Sequence, residues 1–494
     1  MTLLDHLPVL AVVVPLMSAP LCVLVDRARP AWLIALIAAW SSFAVAVMLL
    51  VRVSAGGAVS YHLGGWPPPW GIEYRVDLLS AYVLLIVTAI ASVVLVFAWR
   101  SVEREIAAER VARFYAALLL VFAGLAGITV TGDAFNVFVF LEISSLASYA
   151  VISMGRDRRA LNAAFQYLVM GTIGATFILI GIGFLYMMTG TLNMEDLAAR
   201  LPAVSDTRTV RAGFAFLTVG LGLKLALFPL HLWLPNAYAY APSAVSAFLS
   251  ATATKVAVYV LLRFLLEVFG VDFALHAMPL DLILMVLGLA GVLIASLVAV
   301  FQVDVKRMLA YSSVAQIGYM VLGIGLASTT GITAAMLHVF NHALMKGALF
   351  LAVGAVVYRI GAATLNEFAG LGRRMPWTMA AIVLGGLSLI GVPPTAGFVS
   401  KWYLVLGTLE QGLWPVTLLV LLGSLLALVY IWKLVEAAYF GEPAADAAVV
   451  AEAPLSMLGP VWVLVGANIY FGLHTEVSVG IARRAAVLLL GGEG

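Results

Sequence analysis

In LHVFNHALMKGALFL, residues 337 to 351, two imidazoles and an amine recur at every fourth position: His338, His342 and Lys346. That spacing lines all three along one face of a helix. A second such place is GLGLKLALFPLHLWLP, residues 220 to 235, where Lys224 lies inside an apolar run five residues before Pro229. A third is LSLIGVPPTAGFVSKWYL, residues 387 to 404, with Pro393 and Pro394 followed by Lys401. Lys255 lies in SATATKVAVYVLL, and Glu142 stands alone in GDAFNVFVFLEISSLASYAVI. The six lysines of the chain are used differently from its 21 arginines: four lie deep in apolar runs, whereas nearly all the arginines lie in polar breaks or at run edges. A desolvated lysine can give up its proton and an arginine effectively cannot, so amines at depth suit proton transfer.

These residues need a scaffold, and the composition supplies it. Of 494 residues 64% are hydrophobic and 11% charged, with a mean hydropathy of +1.09. A typical soluble domain is about half apolar and a quarter charged. Runs of about 20 apolar residues, the length that crosses roughly 30 Å of hydrocarbon, recur along the chain. They fall at 8–25, 31–51, 78–98, 112–131, 134–154, 164–188, 212–235, 243–266, 279–301, 308–327, 331–357, 378–406, 414–440 and 456–473. Continuous apolar stretches mean helices, since barrel strands would alternate. The expected fold is an all-α polytopic membrane protein of about 14 transmembrane helices, one integral domain over residues 1–494. The first run lacks a basic leader and a small-residue cleavage signal, so it reads as a retained helix.

No dinucleotide fingerprint, phosphate loop or metal-spaced cluster is present, and Cys22 is the single cysteine, so neither a cofactor nor a metal nor a nucleic-acid partner is expected. At roughly 2.5 to 3.5 kcal/mol per mid-helix charge, four lysines facing lipid would cost on the order of 10 kcal/mol. They must face the interior or water. Any one of them could instead mark a helix end and snorkel, and Lys306 reads as a loop residue, with Lys433 near the end of its span. The pairing of lysines with prolines argues otherwise. Pro229 removes the helical partner of the Leu225 carbonyl, and Pro393 and Pro394 remove those of Leu389 and Ile390. Broken helices at membrane depth line cavities and commonly form ion sites.

The broken spans are regularly offset. Lys224 and Lys401 are 177 residues apart, Lys255 and Lys433 are 178 apart, and Tyr186 and Tyr358 are 172 apart. Five helices per unit would relate spans four to eight (112–266) to spans nine to thirteen (279–440). An odd number of crossings inverts the second unit, the inverted repeat of secondary transporters. Basic residues cluster in one set of loops, including Arg27, Arg29, Arg100, Arg104, Arg156, Arg158, Arg159, Arg373 and Arg374. The positive-inside rule then puts both termini outside a cell membrane.

The blocks GDAFNVFVFLEISSLASYA, LKLALFPLHLWLPNAY, APSAVSAFLSATATKVAVYVLLR, QVDVKRMLAYSSVAQIGYM, FNHALMKGALFL and GVPPTAGFVSKW together resemble the antiporter-like subunits shared by Mrp cation/proton antiporters, respiratory complex I and membrane-bound hydrogenases. The resemblance runs from about residue 75 to 440, and the wording around Glu142 and Lys255 is most similar to the D-type member of Mrp antiporters. It implies that Glu142 pairs with Lys224, and that Lys255 continues a polar axis through His338 and His342 to Lys401. Ser243 stands where the family usually has threonine, and Asn236 where an aspartate is expected. The implied function is a proton-translocating subunit of a multi-subunit Na⁺(K⁺)/H⁺ antiporter, working with other subunits in the lipid bilayer. The alternative is a pump subunit in the membrane arm of a redox complex, and a third is a scaffold subunit that moves no ions.

Overall fold

The computed structural model describes residues 3–442 and 450–492. Buried in hydrocarbon, each backbone N–H and C=O must be satisfied within its own segment, and helix dominates accordingly. The chain begins with α1 (Leu7–Val25) and α2 (Ala28–Gly56), then a short antiparallel hairpin of β1 (Val59–His62) and β2 (Glu73–Val76). α3 (Leu78–Glu105), α4 (Val111–Val130), α5 (Ala134–Ser153), α6 (Arg159–Thr189) and the short α7 (Met194–Arg200) follow. Next come α8 (Arg208–Lys224), α9 (Trp233–Tyr240), α10 (Ser243–Leu262), α11 (Leu280–Val300), α12 (Val305–Gly325) and α13 (Thr329–Ile360). The chain continues through α14 (Leu371–Arg374), α15 (Pro376–Ile390), α16 (Ala396–Glu410), α17 (Trp414–Phe440), α18 (Leu455–Leu473) and α19 (Glu476–Leu489).

Among the described residues, twelve helical stretches are long and apolar enough to cross a membrane. The two expected spans missing from that set are the seventh, split into α8 and α9, and the twelfth, split into α15 and α16. Counting each split span as one crossing restores the fourteen expected. Both breaks fall at the prolines that the sequence marks.

The repeat is written in backbone hydrogen bonds. Ala134 N–H donates to Leu192 O (2.8 Å) and Met194 N–H to Gly132 O (2.8 Å). The same pair recurs 171 residues later, with Val305 N–H donating to Ala363 O (2.7 Å) and Leu365 N–H to Val303 O (2.9 Å). Each latch pins the loop before a helix whose N-terminus is capped by aspartate: Asp133 accepts from Asn136 N (2.7 Å), and Asp304 accepts from Arg307 N (2.8 Å). Five crossings separate the latches, so they lie on opposite faces of the membrane. That is the relation expected between two inverted five-helix units, helices four to eight and nine to thirteen.

α13 is the central post, packed by α3, α10, α12, α15, α16, α18 and α19. α8 is seated against α6 by paired glycines: a Cβ on Gly220 would lie 2.7 Å from Gly174 O and 2.9 Å from Ile178 N. This close approach sets the end of α8, and with it Lys224, beside α5. Three features depart from the sequence reading. Lys306 is the second residue of α12 rather than a loop residue, because the Asp304 cap starts that helix early; it is buried and donates to Ala241 O (2.7 Å). The hairpin carries too few residues per strand to show a period. α19 buries Ser478, Ala482, Ala485, Ala486 and Leu489 while Arg483 and Arg484 face outward, a stripe too mixed to register as a span.

Gly220→Ala should cost about 1–3 kcal/mol through overpacking, read as a lower unfolding midpoint of the detergent-solubilised protein. An unchanged midpoint would mean that the α6–α8 contact is looser than described.

Candidate functional site

α8 stops at Lys224, five residues before Pro229, and the chain turns through Leu225–Leu232 before α9 begins. Trp233 secures the broken end: its Nε1 donates to Leu223 O (3.0 Å), and its ring stacks on Tyr167 at 4.0 Å between centroids. Lys224 is thereby aimed at α5. Its Nζ donates to Glu142 Oε1 (3.3 Å) and Ser145 Oγ (2.9 Å). The lysine side chain is 4% exposed and that of Glu142 25% exposed, so the ion pair sits at the lateral edge of the bundle.

The second break reverses the arrangement. α15 ends at Ile390, α16 begins at Ala396, and Lys401 reaches back across the gap. Its Nζ donates to Leu389 O (3.0 Å), Ile390 O (2.9 Å) and Ser424 Oγ (2.9 Å). These two carbonyls are the ones the prolines free from helical pairing. The ammonium also lies 4.7 Å from the Tyr319 ring centroid, within cation–π range. The 177-residue spacing of the lysines thus does not place them alike: Lys224 ends the first half of its broken span, and Lys401 belongs to the second half of its own.

Between the breaks runs α13. His338 bridges two neighbours, with Nδ1 2.9 Å from Ser400 Oγ and Nε2 2.9 Å from Gln316 Oε1. His342 stacks on it at 6.0 Å, nearly parallel, and neither of its ring nitrogens has a hydrogen-bond partner. Lys346 turns toward α12 and donates to Leu309 O (2.7 Å) and to Ser312 Oγ. Lys255, fully buried on α10, donates to Ser250 O and to Thr254 Oγ1 (3.3 Å). The structure brings Glu142 and Lys224 together and sets His338 against His342. It places no hydrogen bond between Lys224 and Lys255, or between Lys255 and either histidine.

A protein-family model described as NADH:quinone oxidoreductase/Mrp antiporter, transmembrane, matches residues 131–427, from the start of α5 into α17. The chain belongs to this antiporter-like membrane family. It is 44% identical to the N-type chain of the NADH-quinone oxidoreductase of Desulforudis audaxviator over 95% of this chain and 96% of that one. It is 33% identical to the D-type chain of the Na⁺/H⁺ antiporter of Alkalihalophilus pseudofirmus, over 81% of each. Its fold matches a chain of the Mrp complex from a Dietzia species with a TM-score of 0.90 and 27% identity, over 99% of this chain and 98% of that one. Like other members of the family it is a multi-pass membrane protein.

Several residues at this antiporter-like site carry no signal in the apolar runs and prolines alone. Gln316 and Ser400 hold His338, Ser424 and Tyr319 surround Lys401, and Ser145 shares Lys224 with Glu142. Ser312 and Gln316 lie four apart on α12, a polar stripe that marks two of these contacts. Arg263 is another. It lies eight residues after Lys255, 8% exposed, and pairs with Asp77 and Glu267.

Gly391 adopts φ +91°, and a Cβ there would meet Lys401 Cδ at 2.8 Å. Gly391→Ala should therefore cost at least about 1–2 kcal/mol of backbone strain and push the Lys401 stem off its carbonyls. Thermal unfolding would show a lowered midpoint, and a wild-type midpoint would contradict the geometry.

Proposed function

We propose that this chain is the proton-translocating subunit of a multi-subunit Mrp-type cation/proton antiporter in the cell membrane. The observation that carries this reading is the Glu142–Lys224 ion pair at one helix break, mirrored by Lys401 on the free carbonyls of the other. Protons enter through one repeat, move along Lys224, Lys255, His342, His338 and Lys401, and leave through the other repeat, with Lys346 setting the field around the histidines. Hops across the intervals between these groups run through water. The Glu142 carboxylate ties the Lys224 ammonium to the lateral edge; opening that pair frees the amine to pass its proton inward.

Both repeats offer a non-helical turn within a broken span, the kind of place where transporters of inverted-repeat design hold their ions. The exchanged cation is Na⁺ or K⁺, and its path lies in this chain or in a neighbouring subunit. The face with most arginines is cytoplasmic and both termini are outside, by the positive-inside rule.

A second reading has a specific observation behind it. The relative that is 44% identical bears the name of an NADH-quinone oxidoreductase chain, which favours a pump subunit driven by electron transfer in partner chains. The membrane chemistry is the same in both. Affinity purification of the native assembly separates them: dehydrogenase or hydrogenase chains would support the second reading, small antiporter subunits the first.

Lys224→Ala should reduce cation-driven proton movement in membrane vesicles to background while the protein still inserts. Lys224→Arg should be equally inactive, because a guanidinium keeps the charge and cannot release the proton. Dye-reported exchange near the wild-type rate in Lys224→Arg would rule out a proton-carrying role for this amine.

A further inference from the structure

A groove of about 450 Å³ opens sideways between α6, α9 and α12. Its apolar side is formed by Val169, Leu232 and Phe165, of which Phe165 is 61% and Leu232 69% exposed. Its polar rim carries the half-buried Arg307, Tyr311, Asn236 and Gln166. Arg307 is the third residue of α12, on the face that carries the arginine-rich loops, so its guanidinium sits at headgroup depth. The apolar wall runs inward from there along α6, where acyl chains lie.

The charge on that rim is unanswered within the protein. Arg307 forms no ion pair among the described residues, and its Nε is buried without a hydrogen-bond partner. The nearby Asp304 carboxylate caps the Arg307 backbone N–H (2.8 Å) rather than its guanidinium. The guanidinium carbon stands 6.0 Å from the Tyr311 ring, and no acidic side chain lines the groove. Asn236 donates to Gln166 Oε1 (2.9 Å), which leaves the Gln166 NH₂ as a further donor. A planar cation with spare N–H groups is matched to a phosphate, and a basic notch between transmembrane helices above an apolar cleft is the arrangement that holds an anionic lipid.

We infer that this groove binds an anionic phospholipid, its phosphate on Arg307 and one acyl chain along Val169 and Leu232. The site is coupled to the broken helix by direct contact. Trp233 lines the groove with one part of its side chain and donates from Nε1 to Leu223 O, the carbonyl before Lys224. A lipid seated here buttresses the turn that aims Lys224 at Glu142. The inference stands independently of which ion the protein moves.

The test is native mass spectrometry of the full chain in its purified assembly, delipidated and then offered phosphatidylglycerol, phosphatidylcholine or inorganic phosphate. The wild type should retain phosphatidylglycerol over phosphatidylcholine by about fivefold, the scale of one basic residue at a membrane surface. Arg307→Gln should lose that preference, and Val169→Trp, which fills the cleft and leaves the arginine, should lose it too. Retention unchanged in both variants would overturn the inference. So would displacement of the lipid by millimolar inorganic phosphate, which would make the notch a free-anion site. A photo-crosslinker at Val169 that captures a partner chain in the intact assembly, rather than lipid, would overturn it as well.

Discussion

A carbonyl released from its helix inside hydrocarbon must find a donor, and this requirement shapes both halves of the molecule. At the second break the donor is the Lys401 ammonium, which takes the carbonyls of Leu389 and Ile390. At the first the Trp233 indole joins the Ala226 N–H on Leu223 O, which leaves Lys224 free to seek a carboxylate and a hydroxyl instead. One need met in two ways makes the breaks chemically unequal. The first presents a charge that a neighbouring acid can hold or release, and the second a charge embedded in backbone dipoles.

The surrounding polar groups follow from the same constraint. His338 reaches Gln316 and Ser400, and Lys346 reaches a carbonyl and a serine of α12, because a buried polar atom left alone is costly. His342 differs from these two, with both ring nitrogens unpartnered among the described residues.

Much of this can be read from the chain itself. Apolar run length locates fourteen crossings, and Pro229, Pro393 and Pro394, each with a lysine close by, mark the two that break; proline alone would not, since Pro15, Pro20 and Pro460 lie inside continuous helices. The depth of Lys224, Lys255, Lys346 and Lys401 is legible for the same reason: charge inside an apolar run has few explanations. What sequence does not supply is direction around the helix axis. Lys346 meets α12 alone, whereas His338 bridges α12 and α16, although both lie on one stripe of α13, and only the assembled bundle decides which neighbours each meets. Lys306 defeats hydropathy because hydropathy marks where apolar residues begin, whereas the helix begins earlier, at an aspartate cap. Arg263 is silent in the sequence because its partners Asp77 and Glu267 come from the hairpin end and from its own helix, a meeting invisible in one dimension.

The paired latches at Asp133–Asn193 and Asp304–Thr364 bear on how such a molecule could arise by doubling. A segment that re-enters the bilayer upside down meets the other leaflet's lipids, the other compartment's acidity and the opposite sense of the membrane potential. Side chains tuned to one surroundings are free to differ in the other, as Asn193 and Thr364 do. Main-chain bonds are indifferent to all of this, and what the two loops share is those bonds together with one capping aspartate, the side chain whose work is done on the main chain itself.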